Sequence, residues 1–280
     1  MKELYSPRVI AGLLEKYQLA PLKKLGQNFL KDEHVVKKIA MAAVGEEGNV
    51  LEIGPGLGVL THELACRAKK VVAVEIDAGM VRVLKETMAE HENVTVIHRD
   101  VLKADLKAIA EEYFGGESFS VAGNLPYYIT SKCLLHVLES GAKIDSFTAM
   151  VQREVADRLS AGPGQRDYGA LSASVAYYGK VEKLFSVSSG CFFPAPDVDS
   201  AIIQFLPGKT FPVDRKAYVR AVRGLFEQRR KTVLNNFKRE YNTSTEDAMT
   251  ALQAAGISPL DRAEALSPED FARLAEYLGQ

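Results

Sequence analysis

The stretch Leu51-Glu52-Ile53-Gly54-Pro55-Gly56-Leu57-Gly58, followed at once by the helical pattern of Val59 to Ala68, decides the fold of this chain. A short apolar run that ends in closely spaced glycines and opens a helix reads as a buried strand of a doubly wound sheet turning into its crossover helix. Glycines at such a turn let the backbone approach a ligand at the carboxyl end of the strand. Glu75 stands 21 residues after Gly54, near the end of the next apolar run, where an acidic side chain accepts hydrogen bonds from ribose hydroxyls. Asp100 follows the third run and is placed to receive an adenine amino group. The third glycine of the dinucleotide fingerprint would fall at Val59, whereas Gly58 comes one place early. That offset favours S-adenosylmethionine over NAD as the nucleoside held there.

Outward from this turn the same rhythm continues. Apolar runs at Asn49 to Ile53, Lys70 to Ile76, Val94 to His98, Phe119 to Ala122 and Phe147 to Val151 alternate with helical periods at Val59 to Ala68, Ala78 to His91, Leu106 to Phe114 and Ser131 to Glu139. Short apolar strands separated by helices predict a mostly parallel α/β sheet. Two later runs, Val181 to Val187 and Ala201 to Leu206, have no helix between them and are expected to be antiparallel. Ahead of the sheet lie a short helix opened by Ser6 and Pro7, the stretch Lys23 to Leu30, expected as a loop, and a helix over Glu33 to Val44. Leu206-Pro207-Gly208-Lys209 reads as a linker, beyond which the pattern is wholly helical over Arg215 to Glu240, Glu246 to Ala255 and Pro268 to Tyr277. The expected organisation is an α/β domain with an N-terminal extension over residues 1–206 and a small all-α domain over 207–280.

Composition bounds the class of protein. The 280 residues are 47% apolar and 25% charged, the balance of an ordinary folded chain. No window reaches the roughly 18 apolar residues a membrane helix needs, and Met1 to Lys16 carries charges where a signal peptide would be apolar. A cytoplasmic protein is expected, with no membrane partner. Cys66, Cys133 and Cys191 are too far apart for a zinc pair, and the five histidines show no ligand spacing, so no metal is expected. The net charge of −1 conceals strong blocks. Met1 to Ala40 carries +4, Asp214 to Glu240 carries +6, and Tyr241 to Gln280 carries −5. A polyanion meets such blocks within a Debye length of about 8 Å, not the global sum. Arg220, Arg223, Arg229, Arg230 and Lys231 are therefore the candidate RNA-phosphate ligands, expected on one continuous basic helix.

The most specific signal follows the fourth run: Asn124-Leu125-Pro126-Tyr127. An adenine amino nitrogen is a poor nucleophile because its lone pair is delocalised into the ring. The Asn124 amide oxygen and the Leu125 carbonyl can each accept one N–H, favouring a pyramidal nitrogen whose lone pair points at a methyl donor. Pro126 stiffens the turn, and Tyr127 offers a ring face to the base. No general base is needed in the attack, since the proton can leave after transfer.

Taken together, Gly26-Gln27-Asn28-Phe29-Leu30, the glycine turn, Gly123-Asn124-Leu125-Pro126-Tyr127 and the run Phe192-Phe193-Pro194-Ala195-Pro196-Asp197-Val198-Asp199-Ser200 resemble the small-subunit rRNA adenine N6,N6-dimethyltransferases of the KsgA type. The resemblance runs in order over nearly the whole chain. It implies a class I methyltransferase sheet with a small helical C-terminal domain, S-adenosylmethionine as cofactor, and two adjacent adenosines of the terminal hairpin of small-subunit rRNA as target. It implies that Asn28, Leu30, Gly54, Glu75, Asp100 and Asn124 surround the cofactor, and the strand-end spacing adds Gly56. By the same resemblance Phe192, or its neighbour Phe193, sandwiches the target base against Tyr127. The expected partner is small-subunit rRNA in a pre-ribosomal particle, bound by a monomer. DNA adenine methyltransferases often carry Pro at the position of Leu125, so N-L-P-Y favours RNA. Relatives acting on large-subunit rRNA share the catalytic motifs. The segment Gln152 to Leu159 with Gly162-Pro163-Gly164 resembles the small-subunit enzymes more. An assembly factor with secondary catalysis is a further reading, and an NAD-dependent oxidoreductase is disfavoured for want of a hydride-transfer constellation.

Overall fold

A computed structural model describes residues 2–19, 28–45, 47–126, 129–208 and 211–279. Tyr127, Gly26, Gln27 and Lys209 of the motifs above lie outside the described residues. By internal contacts the chain divides into two units, Met1–Ala156 with Glu182–Leu206, and Asp157–Val181 with Pro207–Gln280. The segment Asp157–Val181 thus belongs with the helical residues, which the sequence pattern did not indicate.

The first unit is built on β2 (Asn49–Ile53), β3 (Lys70–Glu75), β4 (Val94–His98), β5 (Phe119–Asn124), β6 (Ile144–Gln152) and β9 (Ser200–Pro207); β7 (Gly179–Val187), which begins in the second unit, completes the sheet. The order is β4-β3-β2-β5-β6-β9-β7. β2 to β6 pair in parallel and β9 lies antiparallel to β6. This is the Rossmann-like sheet of class I methyltransferases. The chain leaves β2 towards β3 and β4 on one side, then returns to place β5 on the other. β2 and β5 therefore flank the topological switch point, where ligands of such sheets bind outside the strands' carboxyl ends. Crossover helices α3 (Val59–Ala65), α4 (Ala78–Thr87), α5 (Leu106–Phe114) and α6 (Thr130–Glu139) follow in turn. Several start where an aspartate can cap them: Asp77 accepts from Gly79 N at the head of α4, and Asp105 from Ala108 N at the head of α5. One buried cluster joins Val50, Val71, Ala122, Met150 and Ile202 of the strands to Val36, Ile39 and Ala40 of α2 (Glu33–Ala43) and to Leu60 and Leu64 of α3.

Part of the expected loop over Lys23 to Leu30 is strand instead. Phe29–Leu30 forms β1, paired antiparallel with β8 (Phe192–Phe193), so that Phe29 faces Phe193 and Leu30 faces Phe192. Burial of both β1 side chains explains the ordering. Phe29 packs with Ile10 and Leu14 of α1 (Pro7–Lys16) and with Leu57, Met80 and Val83.

In the second unit, α8 (Ala170–Ala176), α9 (Arg215–Phe226), α10 (Val233–Tyr241), α11 (Thr245–Ala254) and α12 (Pro268–Leu278) enclose an aromatic core of Tyr168, Tyr218, Phe226 and Phe271. Buried hydroxyls find carbonyls: Tyr168 Oη donates to Leu266 O at 3.0 Å and Tyr218 Oη to Ala173 O at 2.9 Å. The continuous helix expected over Arg215 to Glu240 is two helices. The Asn236 side chain donates to Leu225 O at 2.7 Å and Gln228 O at 3.1 Å, satisfying carbonyls at the end of α9, while Thr232 caps α10. The acidic tail also has a structural account, since Glu246 and Asp247 sit in the first turn of α11 and Glu269 and Asp270 in that of α12, where the helix dipole favours negative charge.

Candidate active site

The residues singled out as cofactor ligands come from separate segments, and the fold gathers them. Asn28, Leu30, Gly54, Gly56, Glu75, Asp100, Asn124 and Pro126 line one cavity of about 280 Å³ at the switch point. The turn after β2 holds left-handed backbone at Gly54 (φ +68°), Gly56 (φ +58°) and Gly58 (φ +89°), which only glycine adopts without strain. Glu75 is 5% exposed and ties this turn to the end of β3. Its Oε2 accepts from Gly56 N at 3.2 Å and its Oε1 from Asp77 N at 2.9 Å. A carboxylate offers about four lone-pair sites, so acceptor capacity remains for a ligand's hydroxyls. Burial pushes the Glu75 carboxyl up from the usual range, against the backbone N–H groups of Asp77 and Gly56. Asp100 caps the short helix Val101–Lys103 by accepting from Leu102 N at 3.0 Å, with Lys103 Nζ 3.8 Å from its other oxygen.

On the far side of the switch point, β5 delivers Asn124. Close approach sets the strand's end, because a Cβ on Gly123 would lie 2.7 Å from the carbonyl oxygen of Ile53 on β2. Asn124 Nδ2 donates to Asn28 O at 2.9 Å. The bond fixes which way the amide faces and leaves Oδ1 without a partner among the described residues. The Leu125 side chain is buried, 1% exposed, and its carbonyl too makes no hydrogen bond among the described residues. Pro126 O accepts from Ile129 N at 3.1 Å and Thr130 Oγ1 at 3.2 Å, which anchors the turn to the start of α6. Asn124 and Pro126 line the cavity and Leu125 between them does not, so the open Asn124 Oδ1 is the acceptor that the cavity presents to a group bearing N–H bonds.

The family description "Ribosomal RNA adenine dimethylase" matches residues 21–280. The chain belongs to that family. The chain is 44% identical to the ribosomal RNA small subunit methyltransferase A of Ligilactobacillus salivarius, over 99% of this chain and 97% of that one. It is 43% identical to the protein of the same name from Bacillus cytotoxicus, over 99% and 98%. Among solved structures it is similar to the 23S rRNA methyltransferase ErmE, with TM-score 0.70, 29% identity, and coverage of 90% of this chain and 100% of that one. A dimethyladenosine transferase from Plasmodium falciparum gives TM-score 0.74 at 26% identity, covering 88% and 95%. The chain is an S-adenosylmethionine-dependent rRNA adenine methyltransferase.

The cavity suits that cofactor on its own chemistry. Glu52, 1% exposed, is one of its lining residues, and its buried Oε2 has no hydrogen-bond partner of good geometry among the described residues. A buried carboxyl at a cavity ionises more readily beside a cation, so it suits a cationic occupant, and S-adenosylmethionine carries both an ammonium and a sulfonium. Burial, with the charge of Glu75 adding to it, raises the Glu52 carboxyl to about 8. Nothing in the sequence marks Glu52, because a strand residue in an apolar run gives no sign of whether its side chain meets a cavity. Phe29, Ile76 and Arg99 also line the cavity unforeseen, the last two exposed beside Glu75 and Asp100.

Two expectations need correction. Phe192 does not present a ring face: it is 2% exposed and packed in the same buried cluster as Leu30, its partner across β1 and β8. Phe193, on the face of Phe29, is only half-buried. The five basic residues also do not share a helix. Arg220 and Arg223 lie on α9, whereas Arg229, Arg230 and Lys231 lie on the connection to α10. Two of the five are engaged already: Arg220 pairs with Glu240 at 2.7 Å and sits over the Tyr241 ring, and Arg229 pairs with Glu264 at 2.8 Å. Arg223, Arg230 and Lys231 are exposed, with no partner among the described residues.

Proposed function

We propose that this chain dimethylates the N6 amino groups of two adjacent adenosines in the 3′-terminal hairpin of small-subunit (16S) rRNA. It acts as a monomer on a pre-ribosomal particle in the cytoplasm. The observation that carries the reading is the open Oδ1 of Asn124, a residue lining the same cavity as Glu75 and Asp100. The full-length likeness to proteins named ribosomal RNA small subunit methyltransferase A supports the choice of subunit.

In this reading Glu75 accepts the cofactor's ribose hydroxyls and Asp100 its adenine amino group, while Gly54 and Gly56 keep the turn open beneath them. Asn28 and Leu30 close the cavity from the N-terminal side. S-adenosylmethionine supplies an electrophilic methyl group on a sulfonium centre. Asn124 and Leu125 each accept an N–H of the target amino group, so that its lone pair is turned out of conjugation and towards the cavity. Tyr127 stacks on the flipped base, and Phe193 replaces the enclosed Phe192 as its second aromatic neighbour. After the first transfer a single N–H is left to hold, and the same carbonyls grip the monomethylated nitrogen by one bond. Arg223, Arg230 and Lys231 supply phosphate contacts from the helical unit. The test is incorporation of labelled methyl groups from S-adenosylmethionine into unmodified small and large ribosomal subunits offered separately. Label confined to small-subunit rRNA is the expected result, and label confined to large-subunit rRNA would overturn the choice of substrate.

A further inference from the structure

The helical unit brings together two loops that are more than sixty residues apart in sequence, and one residue joins them. Glu264 lies in the short helix Ala263–Ala265. Its carboxylate receives the Arg229 guanidinium, with Nε at 2.9 Å and Nη2 at 2.8 Å from the same oxygen. Its carbonyl receives Gly164 N at 2.8 Å. The loop carrying Gly164 is itself shaped by Gly162 N donating to the Gln165 side chain at 2.9 Å and by Gln165 N donating to Gly162 O at 3.1 Å. Tyr168 then pins its far end through the buried bond to Leu266 O. Arg166 is exposed on this loop, with no partner among the described residues. It follows Gly164 by two residues, a reach of at most about 7 Å. Arg230 and Lys231 follow Arg229 immediately on the other loop.

We infer that Glu264 fastens these loops into a single phosphate-binding surface, in which Arg166 grips the RNA backbone together with Arg230 and Lys231. The acids of the neighbourhood leave the surface positive. Glu264 is consumed by Arg229, and Asp167 and Asp261 are outnumbered by Arg166, Arg230, Lys231 and Arg262. Guanidinium and ammonium groups without ion-pair partners among the described residues, on backbone held by hydrogen bonds, fit a run of phosphates. The inference rests on the proposed RNA-binding role of the helical unit and adds a residue, Arg166, that neither a basic run nor a motif marks in the sequence.

The test measures binding of the full-length protein to unmodified small subunits over a salt series, for wild type, Arg166→Ala, Arg166→Lys and Arg230→Ala. Loss of one phosphate contact lowers the slope of log K against log salt by about 0.7–0.9. Arg166→Ala is expected to show that loss and to weaken binding about 2–5-fold at fixed salt. Arg166→Lys should restore the slope, and S-adenosylmethionine affinity should be unchanged in all variants. A normal slope for Arg166→Ala beside a reduced one for Arg230→Ala would overturn this inference and leave the RNA face intact. Normal slopes for both would remove the RNA face itself.

Discussion

Replacing Asn124 by alanine removes two distinct things, and the structure separates their sizes. One is the 2.9 Å bond from Nδ2 to Asn28 O, an intramolecular hydrogen bond worth about 0.5–1.5 kcal/mol of stability. The other is Oδ1, which makes no bond to the described residues and so contributes only when a substrate is present. If that oxygen orients the amino lone pair, its effect is realised as the nitrogen pyramidalises, in the transition state more than in the bound complex. Misplacing a reacting group costs about 10²-fold in rate, or about 2.7 kcal/mol at 1.36 kcal/mol per decade. Single-turnover methylation of unmodified small subunits by excess enzyme should therefore slow by about 10²-fold or more. RNA and S-adenosylmethionine dissociation constants should stay within a few-fold of wild type. The second methyl transfer should suffer at least as much as the first, because the monomethylated nitrogen has one N–H left and only Leu125 to accept it. Near-normal rates for both transfers would remove Asn124 from the mechanism.

Glu75→Ala removes the acceptor meant for the cofactor's ribose and also frees Gly56 N and Asp77 N. Titration calorimetry should show S-adenosylmethionine binding weakened by about 1.5–3 kcal/mol, and unchanged affinity would refute the assignment. Replacing Arg230 and Lys231 by alanine should flatten the salt dependence of RNA binding by about 0.7–0.9 per contact, and unchanged slopes would contradict their role. Arg229→Ala takes away no phosphate contact but unfastens the loops and frees the Glu264 charge, so it should lower RNA affinity; wild-type affinity would contradict the fastening role of that pair. Glu52, raised to about 8 in the fold from an ordinary 4.5, binds a proton more tightly folded than unfolded. Its contribution to stability is present in full below about pH 4.5 and is lost as pH rises through about 8. Denaturant unfolding of the cofactor-free protein should show Glu52→Gln gaining on wild type, by up to a few kcal/mol, as the pH is taken from 5 to 9. A constant difference between the two proteins would show that Glu52 does not titrate there.

Much of the catalytic unit was legible because parallel strands and glycine turns are written locally. Leu106 to Phe114 matches α5 residue for residue, and Asn49 to Ile53 matches β2. The spacing from Gly54 to Glu75 foretold their meeting because β2 and β3 are neighbours in register, Ile53 opposite Val74. What escaped depends on contacts distant in sequence. β1 exists only because Phe192 and Phe193 come back to pair with it, and the same pairing turns Phe192 inward. The basic run at Arg229 was visible as charge, but its engagement by Glu264, 35 residues on, was not. Ala170–Ala176 carries few charges and little periodicity, so the segment that joins Asp157–Val181 to the helical unit left no signal.

Where the methyl groups go is decisive. Purified protein, S-adenosylmethionine and small ribosomal subunits lacking the modification should yield N6,N6-dimethyladenosine at two adjacent positions of the 3′-terminal hairpin, located by mass mapping of nuclease fragments. Monomethylated adenosine alone, or dimethylation outside that hairpin, would contradict the proposed reaction.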